Sequence, residues 1–187
     1  MGTPAAPLYV GALFVARAIV ATLQDATNGA NAFIASMAAA LDLTVTPIAQ
    51  FRITDREVND VNFPAVYVTV GRQDFEYLPT YVLTNLEATI TVKLRADQAL
   101  DDGASLTDAD QMYAATLVTC QAIGQCLQGW LAADASGAGL IADCQVVDDS
   151  ALPPQMMTED GRVWSVIART LTVRVSYRQN AITRCTP

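Results

Sequence analysis

Carboxylates are the side chains in this sequence whose clustering could do chemistry. Asp97, Asp101, Asp102, Asp108 and Asp110 fall within one short stretch, and Asp148/Asp149 and Glu159/Asp160 form two adjacent pairs. A divalent cation needs several hard oxygens at close spacing. The segment DDGASLTDAD (101–110) lacks the EF-hand spacing, so it reads as a solvated acidic loop with no metal. Two carboxylates could also hydrolyse a glycosidic bond. Such sites are commonly lined with aromatics, and this chain has 7%, so a carboxylate hydrolase stands only as an alternative. Histidine is absent. That removes Ser-His-Asp and Cys-His catalysis, H-E-x-x-H zinc sites and the kinase catalytic loop. There is no G-x-x-x-x-G-K-[ST] loop and no G-x-S-x-G elbow. The Gly-rich SGAG (136–139) follows a helical pattern and reads as a helix stop. No catalytic residue, cofactor site or metal site is expected.

The four cysteines, Cys120, Cys126, Cys144 and Cys185, form no C-x-x-C pair. Cys120 and Cys126 would lie about 240° apart on a helix, too far round to bond. Free thiols in a reducing compartment are expected. Net charge is −8, which argues against general nucleic-acid or anionic-membrane binding. The apolar run LYVGALFVARAIVATL (8–23) has no preceding Lys or Arg and is interrupted by Arg17, so neither export nor membrane insertion is expected. Gly2 lacks the Ser or Thr that myristoylation wants at position 6.

The elements that position these residues follow from periodicity. Helices are predicted over 8–24, 31–42 and 108–133, the last started by Thr107 with Asp108 and Asp110. Strands are predicted over 48–53, 63–71, 83–96, 141–147 and 163–178. Residues 72–81 read as a polar connection, 97–106 as an acidic loop and 148–162 as a long loop with two prolines. The order is α-α-β-β-β-α-β-β. It predicts one α+β domain over 1–187: a single layer of mostly antiparallel mixed sheet, helices on one face, and long projecting hairpin strands. Residues 1–7 are expected to be a loose arm and 179–187 a tail.

Two strands are unusually long. In LEATITVKLR (86–95) and ARTLTVRVSYR (168–178) apolar and polar residues alternate strictly. One face carries Leu86, Ala88, Ile90, Val92 and Leu94, with Leu171, Val173, Val175 and Tyr177. The other carries Glu87, Thr89, Thr91, Lys93 and Arg95, with Thr170, Thr172, Arg174, Ser176 and Arg178. Arg169 is grouped with these, so the two strands hold five of the chain's eleven basic residues. The expectation is a basic face that meets another subunit or lines a channel. Its acidic partners would be loop residues of a neighbouring copy: Asp97, Asp101, Asp102, Asp148, Asp149, Glu159 and Asp160.

The order and texture of VARAIVATLQ (15–24), FPAVYVTVG (63–71), NLEATITVKLRA (85–96), DQALDDGASL (97–106), YAATLVTCQAIGQCLQGWL (113–131) and RTLTVRVSYR (169–178) resemble the tail terminator proteins of long-tailed bacteriophages. The resemblance implies a non-enzymatic virion protein of the tail or neck, assembled in the host cytoplasm. It implies a homo-oligomeric ring, expected to be a hexamer, that caps the tail tube and joins it to the head. Implied partners are the tail-tube protein and the head-tail connector or neck proteins, with passing genomic DNA contacted only non-specifically. The second helix and the loop at 148–162 are longer than this pattern. They keep open a related neck or tail-completion protein; a baseplate or other tail-tube component stands as a separate alternative.

Overall fold

The computed structural model describes residues 11–54, 62–78, 81–97, 106–130, 141–159 and 162–180. Three helices cover one face of a six-stranded, mixed and mostly antiparallel open sheet. The helices are α1 (Ala12–Leu23), α2 (Ala30–Ala40) and α3 (Leu106–Leu127). The strands are β1 (Gln50–Ile53), β2 (Ala65–Tyr77), β3 (Tyr81–Asp97), β4 (Ile141–Ala151), β5 (Gln155–Glu159) and β6 (Arg162–Asn180). Their order in the sheet is β1-β2-β3-β6-β4, and β5 also pairs with β6.

Alternation dictates which side is sealed. Register places Val66, Val92 and Val68, Ile90 together on one side of β2 and β3, and Ile90, Leu171 and Ala88, Val173 together across β3 and β6. All of these are fully or almost fully buried. Against them pack Val15, Ile19 and Leu23 of α1, Ile34 of α2, and Cys120, Ile123 and Leu127 of α3. Each large aliphatic so buried contributes about 1.5–3 kcal/mol. Thr116 and Thr119 sit inside α3 by donating back to Met112 O and Ala115 O, both at 2.8 Å.

The turn between α1 and α2 is tight. Asp25 Oδ1 accepts from Thr27 N (2.9 Å) and Asn28 N (2.7 Å), and Gly29 N donates to Asp25 O (3.0 Å). Those two N–H donors hold the Asp25 carboxyl below its ordinary range. Asn31 then ties α2 to the approach to β1: its Nδ2 donates to Ile48 O (3.1 Å) and its Oδ1 accepts from Ile48 N (2.7 Å). The amide of Asn31 thus does for Ile48 what a neighbouring strand would do.

Several boundaries differ from the periodicity reading, each for a local reason. Strand β2 does not stop at Gly71. It continues to Tyr77 through a register shift between Val70 and Gln73, so β2 and β3 form one long hairpin. Helix α3 already includes Leu106, so it begins before Thr107. It ends at Leu127 because Gly129 takes φ +69°, the left-handed conformation that stops a helix; ASGAG (135–139) lies outside the described residues. The stretch 148–162 is largely strand. β4 runs to Ala151, Leu152 N donates to Ala168 O (2.9 Å), and β5 resumes pairing at Gln155. Pro153 and Pro154 are tolerated there because β4 and β5 form the sheet's edge, where a missing N–H costs no ladder bond.

The central feature is the β3–β6 ladder. Seventeen consecutive residue pairs run without a register shift from Tyr81↔Asn180 to Asp97↔Trp164. At strand rise this is about 56 Å, against a usual strand of about 17–20 Å.

A candidate assembly surface

The face turned away from the helices is polar and organised in cross-strand rows. One row carries Thr69, Thr89 and Thr172, continued on β4 by Asp148. The next carries Tyr67, Thr91, Thr170 and Ser150, and Ser150 Oγ lies 3.1 Å from Thr170 Oγ1. Thr89, Thr91, Thr170 and Thr172 are half-buried. At one end of this face Lys93 stands over the Tyr67 ring, 5.6 Å from its centroid, and Arg95 is exposed. At the other end lie Glu87 with Arg174, Asn85 with Ser176, and Leu83 with Arg178.

The face expected to be basic also carries acidic residues within the same chain. Arg174 Nη2 reaches Glu87 Oε1 at 3.2 Å within the same chain, across a directly paired position. Arg72 pairs with Asp74 at 3.0 Å on the extended part of β2. Asp74 shares its row with Asn85 and Ser176, and Glu76 shares its row with Leu83 and Arg178. Asp148 joins the row of Thr172, in strand and not in a loop. The face therefore carries both signs interleaved.

Arg169 belongs to the opposite side. It pairs with Val92, and so stands on the helix-covered face with Leu171. Its Nε donates to Asp149 Oδ1 of β4, and its side chain is only 13% exposed. The Asp149 hydrogen bond raises the pKa of Arg169 further, with Tyr113 of α3 adding a smaller bond. Asp149, expected to serve a neighbouring copy, is thus committed within its own subunit. Asp101, Asp102 and Asp160 lie outside the described residues, as do the side chains of Asp97 and Glu159.

Among the described residues three thiols are free, Cys120, Cys126 and Cys144; Cys185 lies outside them. Burial pushes Cys120 and Cys144 up to about 12, with Asp149 and Asp143 respectively adding to it. Burial also raises Cys126. None of the three is an activated nucleophile at neutral pH, since the thiolate is the reactive form. Among the described residues no cluster of His, Cys, Asp or Glu is arranged to hold a metal ion. No described helix is long and apolar enough to cross a membrane.

Sequence reasoning missed Glu87 as the partner of Arg174, and missed Asp74 and Glu76 as sheet residues. The signal was present in RQDFEY (72–77), where charged and aromatic residues alternate.

No protein-family model matches the chain, and no curated protein matches it. Among solved structures, one match is a chain described as "Virion of native gene transfer agent (GTA) particle". It is 17% identical, with 87% of this chain and 94% of that chain covered, at a TM-score of 0.32. At that score the two backbones agree only loosely.

Proposed function

We propose that this chain is a structural component of a phage-like particle and, within it, the tail terminator. In this reading one α+β domain forms each subunit of a ring, six copies in all. The ring caps the finished tail tube and joins it to the neck, touching the tail-tube and connector proteins and passing DNA only through non-specific contacts.

The observation that carries the reading is the unbroken seventeen-pair β3–β6 ladder with one face sealed and the other bare. A ladder of about 56 Å is longer than one small domain's packing demands. Its uncovered face is a half-buried hydroxyl surface with interleaved charges, the composition of a surface that meets protein in an aqueous assembly. Interleaved charge sets orientation and register more than it adds affinity. Thr89, Thr91, Thr170, Thr172, Lys93, Arg95, Arg174 and Arg178 form this surface; Arg169 is removed from it and Asp148 joins it. The chemistry available to the chain agrees: no histidine and thiols held protonated by burial.

The test is a tail-joining assay. Arg95→Glu and Arg174→Glu reverse two exposed charges on the bare face without entering the helix side, and exposed changes of this kind usually shift stability by less than about 0.5 kcal/mol. The double variant is expected to melt near wild type yet fail to cap tail tubes and join them to heads in electron micrographs. Normal joining by that variant would refute the use of this face. A head–tail complex holding the chain as a single copy would refute the ring.

A further inference from the structure

The outer half of β4 is out of step with its inner half. Cys144 and Val146 pair with Val175 and Val173 of β6 and face the helices. A register shift follows: Val147 is passed over, and Asp148 stands opposite Thr172, Asp149 opposite Leu171, Ser150 opposite Thr170 and Ala151 opposite Arg169. One extra residue in a strand sends every later side chain to the other face. That shift puts Asp148 and Ser150 on the bare face and Asp149 on the helix side, where it accepts from Arg169. An unshifted strand would put Val147 opposite Thr172, Asp148 opposite Leu171 and Asp149 opposite Thr170. Asp148 would then hold, relative to Arg169, the place that Asp149 holds now. The Arg169 side chain is only 13% exposed, and a charge so covered is costly without a partner. Because two aspartates are adjacent, either register supplies one.

We propose that the Arg169–Asp149 pair locks the register of the outer half of β4, and that without Asp149 this half slips by one residue and seats Asp148 on Arg169. Two observations favour the shifted register in the native chain. Ser150 Oγ lies 3.1 Å from Thr170 Oγ1 and donates to Asp148 Oδ2 at 3.3 Å, and Leu152 N donates to Ala168 O at 2.9 Å. The slip gives these up to recover the ion pair. It also changes what the bare face shows: the acid and hydroxyl that continue the rows of Thr172 and Thr170 give way to Val147 and residue 149. Arg169 and Asp149 are therefore positioning residues for a surface that neither of them joins. The consequence for assembly rests on the proposed function above; the lock itself does not.

Paired cysteines read the register. Leu152 stands opposite Ala168, and a one-residue slip brings Ala151 there instead. Ala168→Cys with Leu152→Cys reports the observed register, and Ala168→Cys with Ala151→Cys the slipped one. Opposed residues lie within disulfide reach, whereas neighbours along β4 point to opposite faces. Each chain is treated with oxidised glutathione and its linked peptides are quantified by mass spectrometry. With both aspartates intact, the link from 152 is expected to exceed the link from 151 at least tenfold. Asp149→Ala is expected to invert that ratio; Asp148→Ala and the conservative Asp149→Glu are expected to leave it unchanged. Asp148→Ala with Asp149→Ala, which leaves no carboxylate to seat, is expected not to invert it. If Asp149→Ala fails to fold, Asp149→Asn, which keeps the shape and loses the charge, decides. A ratio unmoved by loss of the Asp149 charge overturns the lock. Inversion by the double alanine variant overturns Asp148 as the alternative partner. Tail joining by the Asp149→Ala chain is expected to fall at least tenfold. Normal joining by a chain whose links show the slip overturns the part of Asp148 and Ser150 in the assembly surface and leaves the lock standing.

Discussion

Three glycines should respond to alanine in three different ways, because their surroundings differ. At Gly29 an added Cβ would lie 2.2 Å from Asp25 O, 2.7 Å from Asp25 N and 2.7 Å from Leu23 O. All three are backbone atoms that cannot rotate aside. Favourable contacts between heavy atoms lie near 3.5 Å, so the turn must open by about 1 Å. That movement would pull on the Gly29 N to Asp25 O bond and on the Asp25 side-chain bonds to Thr27 and Asn28. Overpacking costs about 1–3 kcal/mol, and an all-backbone clash belongs at the upper end. For a domain of this size each kcal/mol moves Tm by about 2–4 °C, so Gly29→Ala should lower it by about 6–12 °C. At Gly124, inside α3, the nearest atom to the new Cβ is Val146 Cγ2 at 3.9 Å, an ordinary contact. There alanine gains about 0.8–1 kcal/mol of helix propensity, and Tm should rise by about 2–4 °C. At Gly129 nothing obstructs the Cβ, but φ is +69°, and a left-handed non-glycine costs about 1–2 kcal/mol. Melts followed by circular dichroism at one protein concentration give the ranking. Gly29→Ala at or above wild type, or Gly124→Ala below Gly29→Ala, would refute the close approach of the α1–α2 turn.

Asp149→Ala should destabilise by about 1–3 kcal/mol because it strands the mostly buried Arg169, whereas Glu87→Ala, whose pair with Arg174 is 44% and 52% exposed, should cost at most about 1 kcal/mol; urea unfolding of both single variants and their double-mutant cycles decides. Asn31→Leu removes both bonds to Ile48 and should cost roughly 2 kcal/mol, read as a lower urea midpoint with unchanged m. Cys120 and Cys144 should resist a thiol reagent at pH 8 until the protein unfolds. Because their folded pKa values are raised to about 12, the stability they lend is intact below about pH 8.5, the unfolded value. It falls as pH climbs from there towards 12, by up to about 1.4 kcal/mol per unit for each thiol. Cys120→Ala with Cys144→Ala should flatten that alkaline loss.

Alternation made the two faces of β3 and β6 legible, since each strand is half sealed and half open. The same parity already put Arg169 with Leu171. Its charge argued for the open side, and its true partner, Asp149, stood in a stretch that two prolines made look like a loop. An edge strand hides from sequence reading in this way, because it tolerates residues that a central strand cannot. Gly71 misled for a related reason: glycine ends many strands but also marks bulges, and here the strand shifts register and continues. The end of α3 was set by one left-handed residue, Gly129, a few positions before the glycine-rich run that seemed the stronger stop. Pairings between distant segments, such as Glu87 with Arg174 or Asn31 with Ile48, depend on register and layer packing. Local pattern does not carry that information.

β6 is the last strand in the chain order yet sits between β3 and β4 in the sheet. Its ladder with β3 joins residues from 67 positions apart, Asp97 and Trp164, to 99 apart, Tyr81 and Asn180. During synthesis the β2–β3 hairpin therefore waits with an unpaired inner edge, carrying Leu86, Ala88, Ile90 and Val92, until β6 leaves the ribosome. Such high contact order makes for slow folding, and the waiting edge is a template for wrong pairing between nascent chains. Glu87, Lys93 and Arg95 punctuate that edge with charge, which is how exposed strands are kept from pairing with strangers. Truncation just before β6 should accordingly yield inclusion bodies and not a smaller soluble domain.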